Sequence, residues 1–349
     1  MMEIPKELGY YMPAEWEKHS AVWLAWPYGH ITFPNILDEV EKKYCEIIKS
    51  FEGSERVKLI VLNEESKNII QGKLSDYGVD MNNIDFYVHD YADVWVRDYA
   101  PILLLNKDKE KKAYVKWNYN AYGKENDPLF SDLLRDNNVF SDILNNGVEK
   151  VFKLDVILEG GAIDVNGNGT LITTEQCLLN ENRNKELDKG RTEIYLKAYL
   201  GVENIIWLPK GLVNDHTDGH IDEVARFVDT DTIVCSYEED KKDLNFEILQ
   251  NNFKILKQAR DKDGNKFKII KLPTPHFNYS NGEKAPASYA NFYIGNSIIL
   301  MSLFNDKNDK KAMKIIQSLF KKHKVIGIDC SKLIYGGGAI HCITMQDYV

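Results

Sequence analysis

Short β-rich runs recur from one end of this 349-residue chain to the other, and they constrain its fold more than any other feature. They are Val57–Leu62, Ile84–Val88, Pro101–Leu105, Ala113–Trp117, Lys150–Ile157, Gly169–Thr173, Asn204–Leu208, Thr232–Ser236, Phe267–Leu272, Tyr289–Ile294, Ser297–Met301 and Lys324–Ile328. Between them, Asn35–Phe51, Lys185–Tyr199 and Lys310–His323 read as amphipathic helices. In the first of these, Ile36, Val40, Tyr44, Ile47 and Ile48 follow the 3.6-residue period. A chain of this length exceeds the size at which one core usually keeps growing, so two domains or a ring of repeated units is expected. Strands grouped with single helices, without a glycine-rich dinucleotide fingerprint, favour several similar α/β modules. No Pro/Ser linker or low-complexity stretch marks a boundary, so residues 1–349 are read as one unit.

The net charge of −9 argues against a nucleic-acid or anionic-membrane partner and suits a cationic ligand. No apolar run approaches the roughly 20 residues needed to span a bilayer. The start of the chain shows no basic segment leading into an apolar one, so no signal peptide is expected. Five cysteines are scattered at 45, 177, 235, 330 and 342 without a C-x-x-C pair, which points to reduced thiols and a cytoplasmic setting.

Four polar islands interrupt the scaffold. The first is Asp93-Val94-Trp95-Val96-Arg97-Asp98-Tyr99-Ala100-Pro101. Read as period-2 alternation, it puts Asp93, Trp95 and Arg97 on one face and Asp98 on the other. The second, Glu159-Gly160-Gly161, follows an apolar run and places a carboxylate at a strand end. The third, Asn214-Asp215-His216-Thr217-Asp218-Gly219-His220-Ile221-Asp222-Glu223, is the densest. If His220 begins a strand, His220 and Asp222 share a face at about 6–7 Å. The fourth is Gly336-Gly337-Gly338-Ala339-Ile340-His341-Cys342-Ile343-Thr344, in which a glycine turn permits close approach to a ligand and a short strand would carry the thiol.

Taken together these are carboxylates, a histidine and a thiol. An unperturbed Cys, with a pKa of about 8.5, is mostly thiol at neutral pH, and a cation bound beside the sulfur would favour the thiolate. Carboxylates suit a planar guanidinium through paired hydrogen bonds. From the residues alone, two other readings stay open. The Asp215/His216/Asp218/His220/Asp222 cluster could hold a metal and release urea from a guanidine, or the chain could be a non-catalytic binding module.

The segments Trp95-x-Arg97-Asp98-x-x-Pro101, Glu159-Gly160-Gly161, Thr217-Asp218-Gly219-His220-Ile221-Asp222 and Gly336–Thr344 resemble the signatures of agmatine deiminases. The wider family includes the bacterial peptidyl-arginine-deiminase-like proteins of the guanidine-modifying pentein superfamily. Cys177-Leu178-Leu179-Asn180-x-x-Arg183-Asn184 and Ala287-Ser288-Tyr289-x-Asn291-Phe292-Tyr293 are similar as well.

The resemblance implies a five-bladed, pseudo-symmetric α/β propeller of ββαβ modules around a central pocket, with no metal or cofactor. It also implies hydrolysis of a small cationic guanidine. Agmatine would give N-carbamoylputrescine and ammonia through a covalent thiouronium, and arginine or peptidyl-arginine is the alternative substrate. In that reading Cys342 is the nucleophile, His220 the acid–base residue, and Asp98 and Asp222 the guanidinium grip. Glu159 orients His220, and Trp95 forms a pocket wall. Pairing into a homodimer is compatible with it. Gly29, Phe33, His216, Ala339, Ala100 and Asp164 depart from the family's usual pattern, and the first three bear on the far end of the substrate.

Overall fold

A computed structural model describes residues 3–29, 32–106, 108, 111–144 and 150–349. Among them the strands form five sheets of one repeated plan: an antiparallel inner strand, a middle strand, and a parallel outer strand reached through helix. In one sheet Ile102–Asn106 pairs antiparallel with Lys112–Asn118, which pairs parallel with Val151–Ile157; Tyr10–Tyr11 adds an edge. The same order recurs in Ile163–Val165, Thr170–Thr174 and Asn204–Leu208, with the helix Lys189–Leu200 as crossover. It recurs again in Ala225–Asp229, Thr232–Tyr237 and Lys268–Pro273, with the helix Phe246–Gln258. Tyr293–Ile294, Ile298–Leu303 and Lys324–Asp329 form the fourth such set, with the helix Asp309–Leu319.

The remaining sheet joins distant parts of the chain. Met345–Tyr348 lies antiparallel to His19–Ala25, which continues in parallel through Arg56–Val61 to Ile84–Val88. Its inner strand therefore comes from residues about 320 positions beyond its middle one, and this pairing closes the ring. The expected five-bladed α/β propeller is the observed fold.

Side-chain patterning explains the layering. The helix Leu37–Ser50 buries Val40, Tyr44, Cys45, Ile47 and Ile48 and presents its lysines and acids outward. The middle strands are buried on both faces: His19–Ala25, Thr170–Thr174 and Thr232–Tyr237 are almost wholly covered, as expected for strands flanked by helix and neighbouring modules.

The inner strands are shorter and begin late, because the residues before them are irregular. Three expectations fail here for this reason. Val96–Tyr99 is one helical turn, so period-2 alternation does not hold through the first island. His220 does not start a strand. It caps the 3₁₀ turn Ile221–Glu223, because Asp218 and Gly219 take left-handed backbone (φ 66° and 89°) and Asp215 accepts from the Gly219 and His220 N–H groups. Residues 340–343 form a turn, and the strand begins only at Met345.

Candidate active site

The functional residues follow from this modular plan. Each inner strand is preceded by an irregular turn, and each turn delivers one polar side chain. Asp98 lies four residues before Ile102, Glu159 four before Ile163, Asp222 three before Ala225, Asn291 two before Tyr293 and Cys342 three before Met345. The middle strands hold these turns from behind. Thr173 Oγ1 donates to the Ala162 carbonyl (2.8 Å), Ser236 Oγ to that of Glu223 (3.1 Å) and Ser302 Oγ to that of Asn291 (3.0 Å). In the remaining internal module Lys116 Nζ reaches the Tyr99 carbonyl at 3.3 Å. In each of these four modules one hydrogen bond thus ties the middle strand to the turn that carries the polar residue.

The turns converge. Asp222 Oδ2 lies 3.7 Å from Cys342 Sγ, and Asn291 Nδ2 donates to the same sulfur at 3.1 Å. Asp98 Oδ1 is 3.7 Å from His220 Nδ1 and accepts from the Gly161 N–H at 3.0 Å, while Tyr122 OH donates to Asp98 Oδ2 at 3.0 Å. Gly161 is glycine for a steric reason. A Cβ there would lie 2.6 Å from His220 Nδ1 and 2.8 Å from Asp98 Oδ1. Trp95 packs against the glycine turn, where a Cβ on Gly338 would meet its ring at 2.8 Å and Cys342 Sγ at 3.0 Å.

Glu159 is buried, and its nearest ionic partner is Arg183, whose Nε donates to Oε1 at 2.6 Å. Its other oxygen has no hydrogen-bond partner, although Glu159, Cys177 and His220 all offer atoms within 4.8 Å of one another. Arg183 also donates to Asp218 Oδ2 and to the Tyr122 and Thr217 carbonyls, so it ties the second and third islands to the turn at Tyr122. Asp222 Oδ2 is held by His341 Nδ1 at 2.7 Å, and Asp222 Oδ1 is left free. Sequence reading treated Arg183 and Asn291 only as members of matching segments, and gave His341 and Glu223 no role.

Electrostatics follow from burial among acids. Burial pushes the Cys342 thiol well up, and Asp222, Glu223 and Asp98 push it further. Asp98 is pushed up to about 6, first by burial and then by Asp222 and Glu159, with His220 opposing. Burial alone would depress the His220 imidazole, but the Asp98 carboxylate, Cys177 and Glu159 outweigh it and hold the pKa well above the usual histidine value. Acids thus dominate the field at the thiol.

The histidine- and aspartate-rich third island does not gather around one point. Asp215 accepts from Thr217, Gly219 and His220 backbone N–H groups, and Asp218 pairs with Lys124 and Arg183. Of that island, His220, Asp222 and Glu223 turn toward the centre.

A cavity of about 490 Å³ opens beside the centre and is lined by Trp95, Tyr122, His216, Tyr279, Tyr335 and Gly337, among others. His216 stands edge-on to the Tyr122 ring at 5.1 Å, and burial lowers its pKa. Phe33 lies behind this wall against Trp95, at 6.4 Å between ring centres.

Residues 11–347 match the family profile of the Porphyromonas-type peptidyl-arginine deiminases. The chain belongs to this family. Its members are deiminases, which act on C–N bonds of amidine groups. A provisionally named agmatine deiminase of Legionella pneumophila (strain Paris) is 37% identical over 99% of this chain and 97% of its own length. Among solved structures, the agmatine deiminase of Enterococcus faecalis superposes with a TM-score of 0.91 at 30% identity, covering 99% of this chain and 98% of that one. A cysteine-to-serine variant of C. jejuni agmatine deiminase with substrate bound gives 0.85 at 30% identity, covering 97% and 96%. No helix among the described residues of this family member is long and apolar enough to cross a membrane.

Proposed function

We propose that the protein is a Cys342-dependent deiminase of a small alkylguanidine, with agmatine as the preferred substrate. One observation carries this reading: Asp98, His220, Asp222 and Cys342 meet in a single buried centre whose acid oxygens outnumber its donors. Asp98 and Asp222 grip the guanidinium through paired N–H···O bonds. The bound cation then offsets the neighbouring acids that keep the thiol protonated, so the nucleophile is generated where its target sits.

The Cys342 sulfur attacks the guanidinium carbon to give a tetrahedral adduct. His220 gives a proton to the departing nitrogen, ammonia leaves, and a thiouronium remains on the sulfur. Water, deprotonated by His220, adds to the same carbon. The C–S bond breaks, and the thiolate and a ureido product are released. The net change is guanidinium plus water to urea derivative plus ammonium. Glu159 sits beside His220 and steadies it, with its own charge balanced by Arg183. Trp95 supplies an aromatic wall for the substrate cation.

A cavity of about 490 Å³ suits a free small molecule, which favours agmatine over arginine within a folded protein. The names of the similar proteins support the same choice. Neither a nucleic acid nor a membrane enters this reading, and the free thiols suit a reducing cytoplasm.

The test is a panel of agmatine, arginine, peptidyl-arginine and shorter guanidines scored by ammonia release, with Cys342→Ser as control. The expected outcome is agmatine turnover that falls by several orders of magnitude in the variant, with the circular dichroism spectrum unchanged. Near-normal turnover in Cys342→Ser would overturn the proposal, as would urea release in place of ammonia.

A further inference from the structure

Three acid oxygens around the centre are buried without a hydrogen-bond partner: Glu159 Oε2, Asp222 Oδ1 and Glu223 Oε2. Glu159 and Asp222 each have an ionic partner on the other oxygen, Arg183 and His341. Glu223 does not. It is 3% exposed, and among the described residues its side chain makes one hydrogen-bond-type contact, with Cys342 Sγ 3.9 Å from Oε1. A buried carboxyl group beside another acid and without donors is unfavourable. Its position is not of its own making. The Ser236 latch on the Glu223 carbonyl and the 3₁₀ turn hold the backbone, and this aims the side chain at the sulfur.

A residue of the cavity wall feels its charge. Tyr279 lines the cavity, and its phenol is pushed up to about 12 by burial first and by the charge of Glu223 next. Glu223 thus lies beside the thiol and within electrostatic reach of a residue that lines the cavity.

We propose that Glu223 is a third substrate-binding carboxylate, accepting an N–H of the guanidinium on the side of the nucleophile. This rests on the deiminase reading above. A monosubstituted guanidinium carries five N–H donors. Asp98 and Asp222, each acting as a fork, take four. Glu223 takes the fifth and so fixes the rotation of the cation within its own plane, while one face is presented to the sulfur. In the free protein, burial and Asp222 favour the protonated carboxyl group. An arriving cation reverses that preference, so the proton leaves Glu223 as the substrate enters.

The experiment measures alkylation of Cys342 by iodoacetamide with and without guanidinium or agmatine, which needs no turnover. Glu223→Gln keeps the shape and removes the charge, and Glu223→Asp keeps the charge and shortens the reach. The wild type is expected to be protected at cation concentrations at least tenfold lower than Glu223→Gln requires, with Glu223→Asp between them and all three melting cooperatively. Equal protection constants for wild type and Glu223→Gln would overturn the proposal, as would absence of protection in the wild type. Ammonia release by the same wild-type sample separately decides the deiminase reading. Turnover with unchanged protection in Glu223→Gln would remove Glu223 alone, whereas protection without turnover would remove the reaction and leave the binding role.

Discussion

His341 Nδ1 lies 2.7 Å from Asp222 Oδ2, and its Nε2 lies 2.8 Å from Glu15 Oε2. Both acids are held below their ordinary range against the opposing effect of burial, Asp222 by His341 and Glu15 by Arg226 and then His341. Each ring nitrogen faces a buried carboxylate oxygen, and the ring bridges the two acids. The residue next to Cys342 thus anchors Asp222 to Glu15 in the N-terminal segment.

Replacing His341 by Gln leaves Asp222 and Glu15 without their shared partner. The expected loss in kcat/KM is about 30-fold or more, the lower end of the roughly 2–5 kcal/mol that truncating a buried charge pair costs. Glu15→Gln added to His341→Gln should cost much less than Glu15→Gln alone, because the link is already cut. A double-mutant cycle reads this, and additivity within about 0.5 kcal/mol would show that the two residues are independent.

Asp98, pushed up to about 6 from 3.8, gives a pH dependence of definite sign. Between these values the folded, ligand-free protein holds a proton that the unfolded chain has lost. This contribution to stability is full below about pH 4 and disappears as the pH rises past 6. Asp98→Asn lacks it, so the variant should gain stability relative to wild type from pH 4 to pH 7, as measured by urea midpoints. Wild-type kcat/KM should fall as the pH drops through 6, because the protonated acid no longer grips a cation.

Gly161→Ala places a methyl group among three functional atoms, the farthest being Asp222 Oδ2 at 3.2 Å. Displacing those groups by up to about 1 Å should lower kcat/KM on the order of 100-fold. The crowding itself should cost about 1–3 kcal/mol of stability. Kinetics alongside thermal melting separate the two, and near-wild-type kinetics would mean that the centre yields more easily than its packing suggests.

Arg183→Met should destabilise by about 3–5 kcal/mol, the range for removing one member of a buried ion pair. Glu159 would then be buried with neither oxygen paired, and Asp218 would keep only Lys124 and Asn182. Urea denaturation measures the change. A loss under 1 kcal/mol would mean that Glu159 takes up a proton at little cost.

Much of the scaffold was legible because β-branched residues mark outer and middle strands. Ile84–Val88 and Asn204–Leu208 were read with their observed boundaries. The inner strands are legible only in part: the run Pro101–Leu105 covers most of Ile102–Asn106. Ile163–Val165 and Met345–Tyr348 are too short for a pattern to accumulate. The run Tyr289–Ile294 narrows to Tyr293–Ile294, because Asn291 and Ser288 keep the preceding backbone irregular for the site. His19–Ala25 and the helices Glu64–Asp76 and Phe246–Gln258 were passed over. The strand mixes His and Ser with apolar residues, and the helix Glu64–Asp76 buries only Ile70 and Leu74.

The site residues were found by residue type and motif. Their partners were not, since Glu15 and His341 lie 326 positions apart and only the folded ring brings them together.

The strand Met345–Tyr348, which completes the sheet begun by His19–Ala25, starts three residues after Cys342. Ring closure and the placement of Cys342 are therefore a single event. In a chain in which this strand has not docked, the other four polar turns stand apart from Cys342.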